Sequence, residues 1–160
     1  MARLDDLKLT HRLFMQGYPY RPSDWQPGAR LEKPLSQCRL ALISTAGLHL
    51  SAQTPFDLGF QGGDFSFREL PASTEVQQFR ISQRSSDFDR KGAEEDMNVV
   101  FPLDRFRELA ERGEIAPLNH RHFSFMGSIT APGRLISTSA PEVARMLRED
   151  QVDAVFLTPV

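Results

Sequence analysis

The run Gly62-Gly63-Asp64-Phe65-Ser66-Phe67-Arg68-Glu69 holds the densest chemistry in this 160-residue sequence. Paired glycines let a backbone turn sharply. Asp64 and Arg68 then put an acid and a two-pronged donor in one loop, and an arginine fork matches a carboxylate. Arg68 is therefore a candidate clamp for an amino-acid-like ligand. The competing reading is an internal ion pair that pins a long loop, and the spacing is compatible with both. Asp96-Met97-Asn98 is open in the same way. Asn98 is a candidate ligand contact, or these side chains hydrogen-bond their own turn.

Two further groups carry less. His120 and His122 share one face if they lie on a strand. Two imidazoles do not make a metal site, and no Cys or acidic partner is near in sequence, so no metal is assigned. Cys38 has Arg39 beside it but neither a helix N-terminus nor a histidine, the settings that activate a thiol, and it reads as inert. The phosphate-cradling fingerprints GxGxxG and GxxxxGK[ST] are absent, as are HExxH and GxSxG. No cofactor is identified from the residues.

These residues need a scaffold. Leu4, Leu7, His11 and Phe14 predict an amphipathic helix over residues 3–16, with Gly17 as its cap. Prolines at 19, 22, 27 and 34 make residues 18–37 an irregular arm, whose Trp25 needs an apolar seat. Residues 1–37 are taken as helix plus arm, and 38–160 as an α/β domain. Arg39–Thr45 reads as a strand buried on both faces. Residues 46–75 read as a long functional loop, Gln78–Ser82 as a short strand, and 83–96 as a second loop. A helix is expected over about 103–112, started by Pro102 and ended by Gly113. His120–Met126 is extended. Ser139 and Glu142 form a capping-box pattern ahead of a helix burying Val143, Met146 and Leu147. Val152–Thr158 is the last strand. This order predicts an α/β fold with a partly parallel sheet, flanking helices and long functional loops.

Composition sets the class. One domain of 18.1 kDa has a net charge of -2, which removes the drive for bulk nucleic-acid binding. No apolar run is long enough to span a membrane, and the first residues carry no secretory pattern. A cytoplasmic protein without nucleic-acid or membrane partners is the expectation, and the single cysteine leaves no internal disulfide.

Five ordered segments together resemble one family. They are Ala41-Leu-Ile-Ser-Thr45-Ala-Gly47-Leu-His49, Gly63–Glu69, and Asp96-Met-Asn98-Val-Val-Phe101-Pro102-Leu-Asp104-Arg. The others are Gly113-Glu-Ile with Phe123-Ser-Phe-Met-Gly127, and Val152–Val160. The chain resembles the selenoprotein B subunits of glycine, sarcosine, betaine and D-proline reductases, from about Trp25 onward. The resemblance implies selenol- or thiol-dependent reduction of a small amino-acid-like substrate with a dithiol/disulfide couple. It implies other reductase subunits, one with a pyruvoyl group, and a thiol reductant as partners. It implies a selenocysteine or cysteine directly after Val160, so that no catalytic residue lies within these residues. The expectation is a chain truncated there by a UGA codon read as stop, and thus an incomplete, N-terminal portion of a larger α/β domain, inactive by itself. Substrate-binding candidates are Thr45, His49, Asp64, Arg68 and Asn98, with Thr45, His49, Asp64 and Arg68 expected to face one cleft. One departure bears on substrate: many relatives have a histidine shortly after the segment matching Arg80-Ile81-Ser82, where this chain has Gln83 and Arg84. The alternative is a non-catalytic small-ligand-binding or regulatory module.

Overall fold

The structure, a computed structural model, describes residues 8–17 and 28–160. The chain forms two compact units, Met1–Arg30 and Leu31–Val160. In the first, helix α1 is Leu9–Gly17. Leu4, Leu7 and Trp25 lie outside the described residues, as do Pro19, Pro22 and Pro27.

The second unit is α/β. Its strands are β1 (Leu40–Ser44), β2 (Leu48–His49), β3 (Phe67–Pro71), β4 (Arg80–Ile81), β5 (Arg121–Phe125) and β6 (Ala154–Thr158). Its helices are α2 (Arg90–Glu95), α3 (Leu103–Glu111) and α4 (Ala140–Glu149). Four strands form a sheet in the order β3-β5-β1-β6. β1 is parallel to both β5 and β6, while β3 runs antiparallel to β5. β2 and β4 form a separate antiparallel pair, Leu48 opposite Ile81. Among the described residues no helix is long and apolar enough to cross a membrane.

β1 is apolar on consecutive residues because both of its faces are covered. Leu42 packs with Leu48, Leu70, Phe79, Phe101 and Leu103 on one side of the sheet. Ala41 packs with Phe123, Val143, Met146 and Leu147 on the other, where α4 lies. Each large side chain so buried contributes roughly 1.5–3 kcal/mol. β6 has similar composition and a different fate. It is an edge strand, and Phe156 is 43% and Leu157 63% exposed.

His122 sits inside the β1–β5 seam. Its Nδ1 accepts the Leu42 amide at 3.1 Å, so an imidazole nitrogen stands where a strand carbonyl would ordinarily be. Burial, with Arg107 and His120 adding repulsion, pushes its pKa down to about 4. The neutral ring then carries its proton on Nε2, which is buried without a partner among the described residues. His120 is exposed and precedes β5, whereas His122 is buried within it.

At the amino ends of the parallel strands, Arg121 donates from Nε and one terminal nitrogen to both oxygens of Asp150, at 2.7 and 2.9 Å. It also reaches Glu69 at 3.1 Å, and Asn119 donates to Asp150 at 2.8 Å. Hydrogen bonds from Arg121 hold the Asp150 carboxyl below its usual range.

Four local expectations change. The loop over 46–75 contains β2 and β3, and that over 83–96 contains α2. Gln78 belongs to a tight helical turn, Val76–Gln78, and the strand behind it is only Arg80–Ile81. Ser139 does not cap a helix. Its φ of -71° and ψ of -41° are helical, and it ends a widened π-helical turn, Leu135–Ser139, that runs into α4. Pro141 gives a reason. A proline within a continuous helix cannot donate and crowds the carbonyl four residues back, and a widened turn relieves the crowding. The Ser139 hydroxyl donates instead to the Phe65 carbonyl at 2.5 Å, and Glu142 pairs with Arg145.

Candidate functional site at the carboxyl edge

Because β1, β5 and β6 are parallel, their carboxyl ends share one edge of the sheet, where α/β folds gather ligands. Thr45, the residue after β1, is central there. Its amide donates to the Thr158 carbonyl at 3.1 Å. Its hydroxyl accepts the Val160 amide at 2.9 Å and donates to the Val160 carbonyl at 3.2 Å. One side chain thus fixes the chain beyond β6.

Gln83 closes the middle of this edge. It is buried, and its Nε2 donates to the Thr45 carbonyl at 3.0 Å and the Met126 carbonyl at 2.5 Å. Its Oε1 accepts the amides of Arg84 and Ser85. Gln83 therefore joins the ends of β1 and β5 in the position after Ser82 where the family resemblance flagged a departure.

Close backbone packing shapes the rest. Gly127 has φ 66°, and a Cβ there would lie 2.7 Å from the Thr45 carbonyl oxygen. Ser128 follows at φ 46°, a left-handed geometry that costs an L-residue energy. A Cβ on Gly63 would meet the Ile129 backbone at 2.7 Å, and the Gly62 carbonyl accepts the Ala131 amide. The glycine-rich loop is thereby laid against the loop leaving β5. The Thr158 hydroxyl is buried beside this edge without a partner among the described residues.

Asp64 and Arg68 are engaged by their own loop. Asp64 accepts the amides of Asp57 and Ser66 and the Ser66 hydroxyl. Burial opposes its charge, but the Ser66 and Asp57 hydrogen bonds and nearby Arg68 keep its carboxyl below the usual range. Arg68 donates to the carbonyls of Thr54, Pro55 and Phe67 and to the Ser66 hydroxyl, and its guanidinium stacks 4.2 Å from the Phe56 ring centre. A carboxylate ligand gripped by both prongs would have to displace one of these acceptors, since four of the five N–H groups are engaged. His49 is buried, with Nδ1 2.9 Å from the Leu50 carbonyl and Nε2 3.0 Å from the Ser82 hydroxyl. The carbonyl can only accept, so Nδ1 carries the proton and Nε2 accepts from Ser82. Asn98 organises the start of α3: its Oδ1 accepts the Asp104 amide, and its Nδ2 donates to Asp96 and Asp104. Its turn is tied to β1 by the Ser44 hydroxyl, which donates to the Val100 carbonyl at 2.7 Å.

The edge offers amides, carbonyls and hydroxyls, a set suited to binding and orienting a polar molecule. Cys38 precedes β1 at the opposite end, buried, with its thiol 3.3 Å from the Pro34 carbonyl. Among the described residues no three or more His, Cys, Asp or Glu group as metal ligands would. Thr45 was readable from sequence as a strand end. Gln83 was visible only as a departure from relatives, and Gly127 and Thr158 only as members of recognised segments, since their roles depend on partners distant in sequence.

Known proteins match this chain along most of its length. The profile of the family described as glycine/sarcosine/betaine reductase selenoprotein B matches residues 6–160. The D-proline reductase subunit gamma of Acetoanaerobium sticklandii is 36% identical over 137 residues, which is 86% of this chain and 53% of that protein. The glycine reductase complex component B subunit gamma of Symbiobacterium thermophilum is 27% identical over 159 residues, 94% of this chain and 35% of that protein. The chain thus spans about half the length of the first and about a third of the second. No solved structure matches it.

Proposed function

Since the chain belongs to the glycine/sarcosine/betaine reductase selenoprotein B family, we propose that it supplies the substrate-positioning part of a reductase for small amino-acid-like compounds. In this reading the carboxyl edge receives the substrate. A selenocysteine, or a cysteine, carried by the longer polypeptide just after Val160 performs the reductive step. A dithiol restores it, other reductase subunits supply the remaining groups, and the assembly works in the cytoplasm.

The observation that carries this reading is the double hydrogen bond between the Thr45 hydroxyl and Val160. It holds the chain leaving β6 against the carboxyl end of β1. A selenol or thiol one residue on would emerge beside the Gln83 and Gly127 contacts. A selenolate or thiolate is the reactive form of such a group, and its position against the substrate decides its rate.

The test is dithiol-driven substrate reduction by the assembled reductase. Thr45→Val, which keeps the shape and removes both hydrogen bonds, should lower kcat/KM by about tenfold, as loss of roughly 1.4 kcal/mol of positioning would. Cys38→Ser should leave the rate unchanged. Dithiol-dependent turnover by residues 1–160 alone, abolished by Cys38→Ser, would overturn the reading.

A further inference from the structure

Gln83 uses its whole hydrogen-bonding capacity inside the protein. Its side chain is a buried amide, and the residue is 5% exposed. Both Nε2 hydrogens go to carbonyls, of Thr45 and Met126, and both Oε1 lone pairs take amides, of Arg84 at 2.9 Å and Ser85 at 3.2 Å. An apolar side chain of similar length would fill the same space without desolvating an amide, but it would leave the two carbonyls without donors. The amide therefore contributes direction as well as packing.

The two carbonyls belong to neighbouring strand ends. Thr45 follows β1 and Met126 follows β5. Gly127 crowds the same Thr45 oxygen, and a Cβ on it would also stand 3.2 Å from the Gln83 Nε2. Ser128 comes next, at φ 46°. A strained residue beside a fully bonded amide marks a place where the backbone is held to one geometry.

Thr45 passes this constraint on. Its carbonyl is fixed by Gln83, its amide by the Thr158 carbonyl, and its hydroxyl holds Val160. All four side-chain bonds of Gln83 go elsewhere, so its influence on Val160 runs through Thr45. On the outer side, Arg90 at the start of α2 donates to the carbonyls of Ile81 and Gln83, each at 3.2 Å. The links thus run from Arg90 to Gln83 to Thr45 to Val160, across segments distant in sequence.

We propose that Gln83 is a positioning residue, which acts through Thr45 to set where the chain leaving β6 stands against the ends of β1 and β5. Its consequence for catalysis rests on the reading that the reactive selenol or thiol follows Val160. Gln83 touches no reacting atom in that reading. It matters because a misplacement of about 1 Å at a reacting group can cost about 100-fold in rate.

Amide hydrogen exchange of the intact protein, read beside steady-state rates of the assembled reductase, tests the proposal. Gln83→Met keeps the length and removes both donors. It should speed exchange of the Val160 amide about tenfold, the factor expected when a hydrogen bond is weakened. The Gly113 amide, bonded to the Ala110 carbonyl at the end of α3, should exchange as in the parent. In the reductase kcat should fall about tenfold with KM changed by less than about twofold, the split expected for lost positioning. Arg90→Ala removes a side chain that is 44% exposed and leaves the core intact. It should repeat the pattern at about threefold, as loss of weaker, exposed hydrogen bonds would. Unchanged Val160 exchange in both variants overturns the proposal, as does a change that Gly113 shares equally. If Thr45→Val slows the reaction while Gln83→Met and Arg90→Ala leave kcat unchanged, the positioning role falls and the reading of the site stands. If Thr45→Val leaves the rate unchanged, that reading fails, while faster Val160 exchange in Gln83→Met still supports placement of this chain by Gln83.

Discussion

The two edges of the sheet are built by opposite means. At the amino edge, ionised groups do the joining: Arg121 grips Asp150 and Glu69, and Lys33 grips Asp153. At the carboxyl edge the joints are neutral. Thr45 and Gln83 hydrogen-bond to backbone, and Gly63 and Gly127 let loops approach closely. Ionic joints respond to pH, whereas amide and hydroxyl joints do not titrate in the working range. The difference separates an end held by titratable groups from an end held by neutral hydrogen bonds and close loop packing.

The largest test of this contrast is acid. His122 has a folded pKa of about 4 against an ordinary 6.5. The unfolded chain therefore binds more protons between those values, and stability falls as pH drops through that window. The contribution is complete above pH 6.5, and the full loss is roughly 3 kcal/mol, at about 1.4 kcal/mol per pH unit. Urea unfolding at pH 7, 5.5 and 4 should show it. In His122→Phe that fall should largely vanish between pH 6.5 and 5, above the range where carboxylates titrate. An equally steep fall in the variant would mean that other groups set the acid sensitivity.

Next is Arg121→Gln. Removing one partner of a buried ion pair typically costs about 3–5 kcal/mol. Arg121 keeps 22% of its side chain exposed, so about 2–3 kcal/mol is expected by equilibrium unfolding at pH 7. A change below about 0.5 kcal/mol would show that the amino edge is held by packing instead.

Gly127→Ala probes the other end. The added methyl would press on the Thr45 carbonyl, and φ 66° strains any L-residue. The cost should be about 2 kcal/mol, with the same value at pH 7 and pH 5.5. A pH-dependent cost would blur the contrast between the edges.

Sequence pattern predicted some of this architecture and was blind to the rest for physical reasons. Leu40–Ile43 announced a central strand because both its faces are buried. Val155–Leu157 carries the same signal, and β6 lies at an edge of the sheet with Phe156 and Leu157 exposed. β3 was lost inside a supposed loop because Phe-Arg-Glu-Leu-Pro is half-buried and charged, and it becomes a strand by pairing with β5. The capping pattern at Ser139 was locally sound and was overridden by helix already formed ahead of Pro141. At the carboxyl edge, Thr45 was legible as the end of β1. Gln83 was visible as a departure from relatives, but its bonds to Thr45 and Met126 cross 38 and 43 residues.

α4 and the widened turn before it form a rod with one end at each edge. Ten residues of helix span about 15 Å. At its start, Ser139 is latched to Phe65, just ahead of β3, and at its finish stand Asp150 and Gln151. A stiff rod moves as one piece, so a tilt that releases the latch must also shift the groups at the far end. Mechanically, the two edges share an axle, and the missing hydrogen bond at Pro141 leaves slack at one of its bearings.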